Sequence, residues 1–441
     1  MCMIDTEAKL CSVDPKHPNA FNRVIGYDSI KTELEQICDM IKNPEPYERL
    51  GAKLPKGILL YGAPGLGKSL MAECFIEESD LPAFTVRRGN DSIDCVSDIM
   101  SAFEEAAENT PSVVFLDDMD KYANEDSHHR DAEEYVAVQS GIDGVKDKKV
   151  LVLATVNDLD KLPHSLTRSG RFDRKIEFDR PTGEESRNII SYYLSNKPVA
   201  DDVDMEDLTR MISYSSCAEL ESILNDAAIR AAFSRKSSIH MEDILETVLC
   251  KSYNAPTDDN SYNSEEKRIA AVHEAGHVVI SELLAPGSVG FATIRGSGSR
   301  GGGFIHNCMD MPSESRILVA LAGKSAVELV FGTSVTSGSE SDIKQAVNII
   351  RRKISKRADC GFGLLDVSYG MGSHMSESLN SRSEAIVYSE LERFSRTANE
   401  LLIKNRDFLD AILQALLEKK TLLYSDIQTI KNRENICVRS A

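Results

Sequence analysis

Ile58-Leu59-Leu60-Tyr61-Gly62-Ala63-Pro64-Gly65-Leu66-Gly67-Lys68-Ser69-Leu70 is the stretch from which the rest of the chain can be read. A short apolar run ends in G-x-x-x-x-G-K-S and opens into helical sequence from Leu70 to Glu78. This motif cradles phosphates only between a strand and a helix, and that is its setting here. The glycines let backbone amides wrap the phosphates, Lys68 reaches the terminal ones, and Ser69 offers a hydroxyl to magnesium. These residues predict a nucleotide-binding α/β unit.

Downstream, Val113-Val114-Phe115-Leu116 is a second buried strand that runs into Asp117-Asp118-Met119-Asp120. An acidic pair at the carboxyl end of an apolar strand can hold magnesium and polarise an attacking water. A third strand, Val150 to Ala154, leads to Thr155-Val156-Asn157, where Asn157 could orient water or sense a γ-phosphate. Then comes Arg168-Ser169-Gly170-Arg171-Phe172-Asp173-Arg174. An arginine in such a loop stabilises phosphoryl charge if it reaches a neighbouring subunit's nucleotide; the plainer reading of Arg171 and Arg174 is a surface salt-bridge pair.

A second chemistry lies in the C-terminal half, at His273-Glu274-Ala275-Gly276-His277. Residues four apart share a helix face, so both imidazoles can meet one metal ion, with Glu274 beside it as a base. Asn263 with Glu266 resembles a capping arrangement, Ile269, Val272, Ile280 and Leu283 keep helical period, and Pro286 closes the segment. Two histidines leave a catalytic zinc one protein ligand short. The stretch from Gly296 to Gly301 matches G-x-G-x-x-G, but strand-like residues both precede and follow it, so it reads as a hairpin tip and not a dinucleotide site.

A chain of 441 residues is long enough for two or three domains, and 41% hydrophobic content suits soluble cores. The formal charge of −19 argues against nucleic acid as a partner. Ten cysteines without a C-x-x-C pair read as reduced, mostly buried thiols of a cytoplasmic protein. No run of about 18 apolar residues predicts a membrane span, and the polar start is not a signal peptide.

In this order the motifs resemble the AAA+ ATPase module, and specifically the FtsH family of ATP-dependent zinc metalloproteases, from about Phe21 to Ile430. The resemblance implies an α/β P-loop ATPase module with a helical lid, followed by a mostly α-helical zinc metalloprotease domain. Expected bounds are a tail over 1–20, the α/β subdomain over 21–183, a lid over 184–253, a linker over 254–264, the peptidase over 265–432 and a tail over 433–441. It also implies ATP, Mg2+ and Zn2+ as cofactors, a homo-hexamer, and protein or peptide substrates. By position, Val24-Ile25-Gly26 would lie on the adenine side, Gly62 to Leu70 around the phosphates, and Asp117 on magnesium. Asp118 and Asn157 would serve hydrolysis, with Arg171 and Arg174 as arginine fingers. The third zinc ligand would be Asp342, within Thr336-Ser337-Gly338-Ser339-Glu340-Ser341-Asp342-Ile343; Glu340 is a weaker candidate, and His306 and His374 read as ordinary polar residues. A strand edge beside the hairpin tip could take an extended peptide. Tyr388 to Lys419 reads as the helical bundle that closes the peptidase domain.

Three departures from the family matter. Asp118 stands where the family has glutamate, one methylene longer, so ATP hydrolysis is expected to be slow but not absent. Arg88 to Val96 is a shortened pore loop without an aromatic, its place open to Ile93, so unfolding of stable substrates is not expected to follow the family. The family's membrane-spanning N-terminus is not found in this sequence; either it was removed or the chain is a soluble variant, and a native soluble paralogue is the favoured expectation because the motor motifs also deviate. The competing function is a non-degrading remodelling or adaptor protein with weak ATPase and a structural zinc, against which Glu274 argues.

Overall fold

A computed structural model describes residues 19–88, 95–122, 132–168, 170–255, 264–296, 303–332, 339–357 and 377–433. Segments 89–94 (with Ile93), 123–131, Ser169, 256–263 (with Asn263), 297–302, 333–338, 358–376 (with His374) and both chain ends lie outside the described residues. The chain divides into two units, Met1–Asn196 with Tyr214–Ser222, and Lys197–Ser213 with Ile223–Ala441.

The first unit runs α1 (Asp28–Lys42), α2 (Pro44–Arg49), β1 (Gly57–Tyr61), α3 (Lys68–Ser79), β2 (Ala83–Arg87), α4 (Cys95–Glu108), β3 (Ser112–Asp117), α5 (Glu133–Gly144), β4 (Val150–Val156), β5 (Arg174–Glu177) and α6 (Gly183–Leu194). Its strands form a parallel sheet in the order β2-β3-β4-β1-β5. Strands β3 and β4 are buried throughout, which is why they read as unbroken apolar runs. The pleat sends alternate residues to opposite faces. Ile58, Leu60, Val113, Phe115, Leu151 and Leu153 pack with Leu34 of α1 and Phe75 of α3. Leu59, Val114, Leu116, Val152 and Ala154 pack with Phe103 of α4 and Val138 of α5. A sheet covered on both faces leaves the carboxyl ends of β1, β3 and β4 as the exposed rim on which polar residues can gather.

The second unit runs α7 (Met205–Met211), α8 (Cys217–Phe233, whose first turns belong to the first unit), α9 (Met241–Tyr253), α10 (Ser264–Leu284), β6 (Val289–Thr293), β7 (Phe304–Asn307), α11 (Ser313–Phe331), α12 (Ser339–Arg357), α13 (Glu377–Lys404), α14 (Arg406–Lys419), β8 (Thr421–Leu423) and α15 (Tyr424–Lys431). The residues expected as a lid, 184–253, therefore supply helices to both units. Its core centres on α10, buried at every position from Ala271 to Leu283. Gly276 lets α11 lie close, since a Cβ there would stand 2.6 Å from the Ala322 carbonyl oxygen. A small antiparallel sheet, β7-β6-β8, flanks the helices, and β6 and β7 are the strands expected around the hairpin tip. The helical stretch expected from Tyr388 to Lys419 is in fact two helices, the first beginning at Glu377. Asn405 divides them: its buried amide donates to the Leu401 carbonyl at 2.9 Å, an acceptor it shares with its own backbone N–H at 3.1 Å. No helix of the described residues is long and apolar enough to cross a membrane.

Candidate metal centre and nucleotide site

Helix α10 brings His273 and His277 together, and α12 adds Asp342 in its first turn, where the helix dipole favours a carboxylate. His273 Nε2 lies 3.1 Å from His277 Nε2 and 3.0 Å from Asp342 Oδ2, and His277 Nε2 lies 3.4 Å from the same oxygen. A tetrahedral zinc ion with bonds of roughly 2.0–2.1 Å sets its ligand atoms about 3.3 Å apart, so these three donor atoms fit one ion. The His277 Nδ1–H donates to the Val319 carbonyl at 2.7 Å, which turns Nε2 toward the shared point, where it would ligate a metal on giving up its proton. His273 Nδ1 is buried with no hydrogen-bond partner among the described residues.

The walls of the site are made by backbone. At Gly323 of α11 a Cβ would stand 2.5 Å from His273 Cε1 and 2.6 Å from His277 Nε2. At Gly303, just before β7, it would stand 2.7 Å from Glu274 Cγ. Glu274 is buried beside the pair, and burial raises its carboxyl against the opposing pull of the two imidazoles. Burial alone would raise Asp342 too, but hydrogen bonds from both histidines outweigh it and hold the group well below the usual carboxylate range. His277 shows the reverse balance: burial lowers it, yet the Asp342 bond and the Glu274 charge push it up to about 9. Glu340 stands apart, exposed and paired with Lys344 at 2.6 Å. His306 lies on β7 between Ser213 Oγ at 2.9 Å and Tyr253 OH at 2.7 Å, away from this cluster.

In the first unit the loop between β1 and α3 bends through Gly62, Gly65 and Gly67, all at positive φ. A side chain at Gly62 would put its Cβ 2.2 Å from the Phe178 carbonyl oxygen, and Gly67 caps α3 in a left-handed conformation at φ 90°. Ala63 and Gly62 present carbonyls to Lys68 Nζ at 2.8 and 2.7 Å, Pro64 is exposed, and Leu66 is buried. Lys68 also donates to Asn157 Oδ1 at 2.9 Å, and burial lowers its ammonium against the pull of nearby carboxylates. Ser69 Oγ donates to Asp117 Oδ1 at 2.8 Å, and Thr155 Oγ1 donates to the same oxygen at 2.7 Å. Asp118 sits at φ 50°, accepts from Asn157 Nδ2 at 3.1 Å and pairs with Lys121 at 2.6 Å. The Asp118 backbone N–H donates to Thr155 Oγ1 at 2.8 Å, so Lys68, Ser69, Asp117, Asp118, Thr155 and Asn157 form one connected polar cluster at the strand ends. Leu70 is partly exposed on α3, and Ile25 lies half-buried ahead of α1.

The two arginines expected as fingers differ. Arg171 is buried and used within its own subunit, where it donates to Ser165 O at 2.6 Å and Gln139 Oε1 at 3.1 Å and pairs with Asp143 Oδ2 at 2.8 Å. Arg174 is largely exposed, its nearest carboxylate, Glu33, 3.8 Å away.

Sequence reasoning did not assign the Val319 carbonyl, Gly323, Gly303 or Thr155. Thr155 had a signal in its place between the third strand and Asn157. The other three come from elements remote in sequence and carry no motif.

A phosphate-binding loop on a parallel sheet, followed by two imidazoles and a carboxylate about a single point, defines a nucleotide-driven metallopeptidase. Residues 58–180 match the ATPase family associated with various cellular activities (AAA), and residues 260–430 match peptidase family M41. The chain is 30% identical to ATP-dependent zinc metalloprotease FtsH 3 of Symbiobacterium thermophilum, over 96% of this chain and 73% of that protein. It is 33% identical to ATP-dependent zinc metalloprotease FtsH of Lachnoclostridium phytofermentans, over 97% of this chain and 77% of that one. The chain belongs to the FtsH family of ATP-dependent zinc metalloproteases. Zinc, and ATP with magnesium, are the family's cofactors, and the two donor sets suit them. Oligomeric assembly and protein substrates follow from the same membership.

Proposed function

We propose that this chain works as a homo-hexameric ring in the cytoplasm, cutting protein substrates at His273, His277 and Asp342 while nucleotide governs their delivery. The observation that carries the reading is the convergence of three donor atoms, each within 3.4 Å of the next. Zinc bound there supplies a Lewis acid. Glu274, buried and with its carboxyl raised, would take a proton from the attacking water at a carboxylate oxygen and return it to the departing amide nitrogen. Val319 fixes the His277 tautomer, and Gly303 leaves the Glu274 carboxylate room on the β7 side. Cysteines that sit singly, with Cys38 and Cys74 buried, are what supports the compartment.

In the ATPase half, Gly62 to Leu70 and Ile25 would hold the nucleotide, and Asp117 with Ser69 the magnesium ion. Asn157 and Asp118 would orient water, and Arg174 would reach the neighbouring subunit's phosphates. Arg171 would organise the loop that carries it. The short Asp118 side chain, tied to Lys121 and Asn157, supports slow hydrolysis, with nucleotide acting as much on ring assembly as on threading. The proposed division places the ATPase subdomain at 21–183, its lid at 184–253 and the peptidase at 265–432.

The test compares casein cleavage with ATP, with a non-hydrolysable analogue and without nucleotide. Cleavage fastest with ATP, weaker with the analogue and weakest without either is the expected order. Rates that ignore nucleotide would refute the coupling, and absence of cleavage throughout would favour the remodelling protein.

A further inference from the structure

Arg87 closes β2 and stands in register with Asp117 at the end of β3, so neighbouring strands place the two side by side. Its Nε lies 2.8 Å from Asp117 Oδ2, and its Nη2 lies 3.0 Å from Glu73 Oε1 on α3. The other oxygen of Asp117 already accepts from Ser69 and Thr155, so both carboxylate oxygens are engaged. We propose that Arg87 is a built-in competitor for the divalent cation at the nucleotide site, a guanidinium that a magnesium–nucleotide complex must move off Asp117. The inference rests on the assignment of Asp117 as the magnesium-side carboxylate.

Several features make the exchange workable. Two cations cannot share one carboxylate oxygen at contact distance without strong repulsion, so occupancy by metal and by Arg87 are opposed. The Arg87 side chain is 53% exposed, so it can turn away without repacking a core. Glu73 holds its other end and receives it when it leaves. An ion pair this exposed biases such an exchange by a modest factor, about fivefold. The consequence is a nucleotide site whose magnesium requirement is raised about fivefold by its own guanidinium.

Binding of a fluorescent ATP analogue to the full chain, titrated with magnesium chloride, reads this directly. Arg87→Ser should lower the half-saturating magnesium concentration about fivefold, while Arg87→Lys, which keeps the charge, stays within twofold of wild type. Analogue binding in EDTA, equal within twofold in all three proteins, establishes that the pocket is intact. An unchanged or higher midpoint in Arg87→Ser overturns the proposal, as does an Arg87→Lys midpoint equal to that of Arg87→Ser. A wild-type chain that binds no analogue in any condition overturns the nucleotide-site reading, and this inference with it.

Discussion

Gly323 illustrates how much of the metal centre is decided by what is missing from a side chain. A methyl group there would press on both imidazoles at about their donor edges, 2.5 Å from one and 2.6 Å from the other. The rings would have to turn, and three donor atoms that now agree on a single ion would no longer do so. Groups that hold zinc ligands in place are worth roughly 10–100-fold in metal affinity when disturbed. Gly323→Ala is therefore expected to leave the purified chain well below one zinc per molecule by atomic absorption, with its circular dichroism unchanged. Full zinc occupancy in that variant would show that the α11 backbone does not shape the site.

Strand β7 carries a second consequence, this time for stability. His306 stacks on Phe291 with ring centroids 5.4 Å apart, and burial pushes its imidazole down to about 4. Its ordinary value is 6.5, so between these pH values the unfolded chain binds more proton than the folded one. Stability is therefore fully present above pH 6.5 and declines as the pH falls toward 4, by at most about 1.4 kcal/mol per pH unit. His306→Gln should flatten the melting temperature against pH over this range; a slope equal to wild type would remove His306 as its source. Elements with a strong local pattern were legible in the sequence: the apolar strand before the phosphate loop, the apolar strands leading to Asp117 and Asn157, and the periodic α10. Hidden from sequence were the three-residue strand β8, too short for a pattern, and the helix break at Asn405, where a side-chain bond joins the backbone bond on the Leu401 carbonyl. The Asp342 position was legible through family resemblance alone, because nothing in local spacing links it to residues 69 positions earlier.

The assembled molecule makes its own demand. Arg171 is enclosed by Asp143, Gln139 and Ser165, so of the two finger candidates Arg174 is the one with freedom to serve another subunit. A finger supplied in trans contributes on the order of a thousandfold or more to turnover. Arg174→Ala and Lys68→Ala chains should each be nearly inactive as ATPases, the first for want of a finger and the second for want of phosphate binding. Mixed together they should recover a measurable share of wild-type turnover, since the second can lend Arg174 to the first. Mixtures as inactive as their components would mean that the sites do not cooperate across subunits.

Zinc content and casein cleavage, measured side by side on wild type and Glu274→Gln, probe the peptidase chemistry itself. Both proteins should carry about one zinc per chain, since Glu274 is not among the three convergent donors. Wild type should cleave at least about a hundredfold faster, the usual contribution of a positioned general base. A wild-type chain no more active than Glu274→Gln would contradict the account.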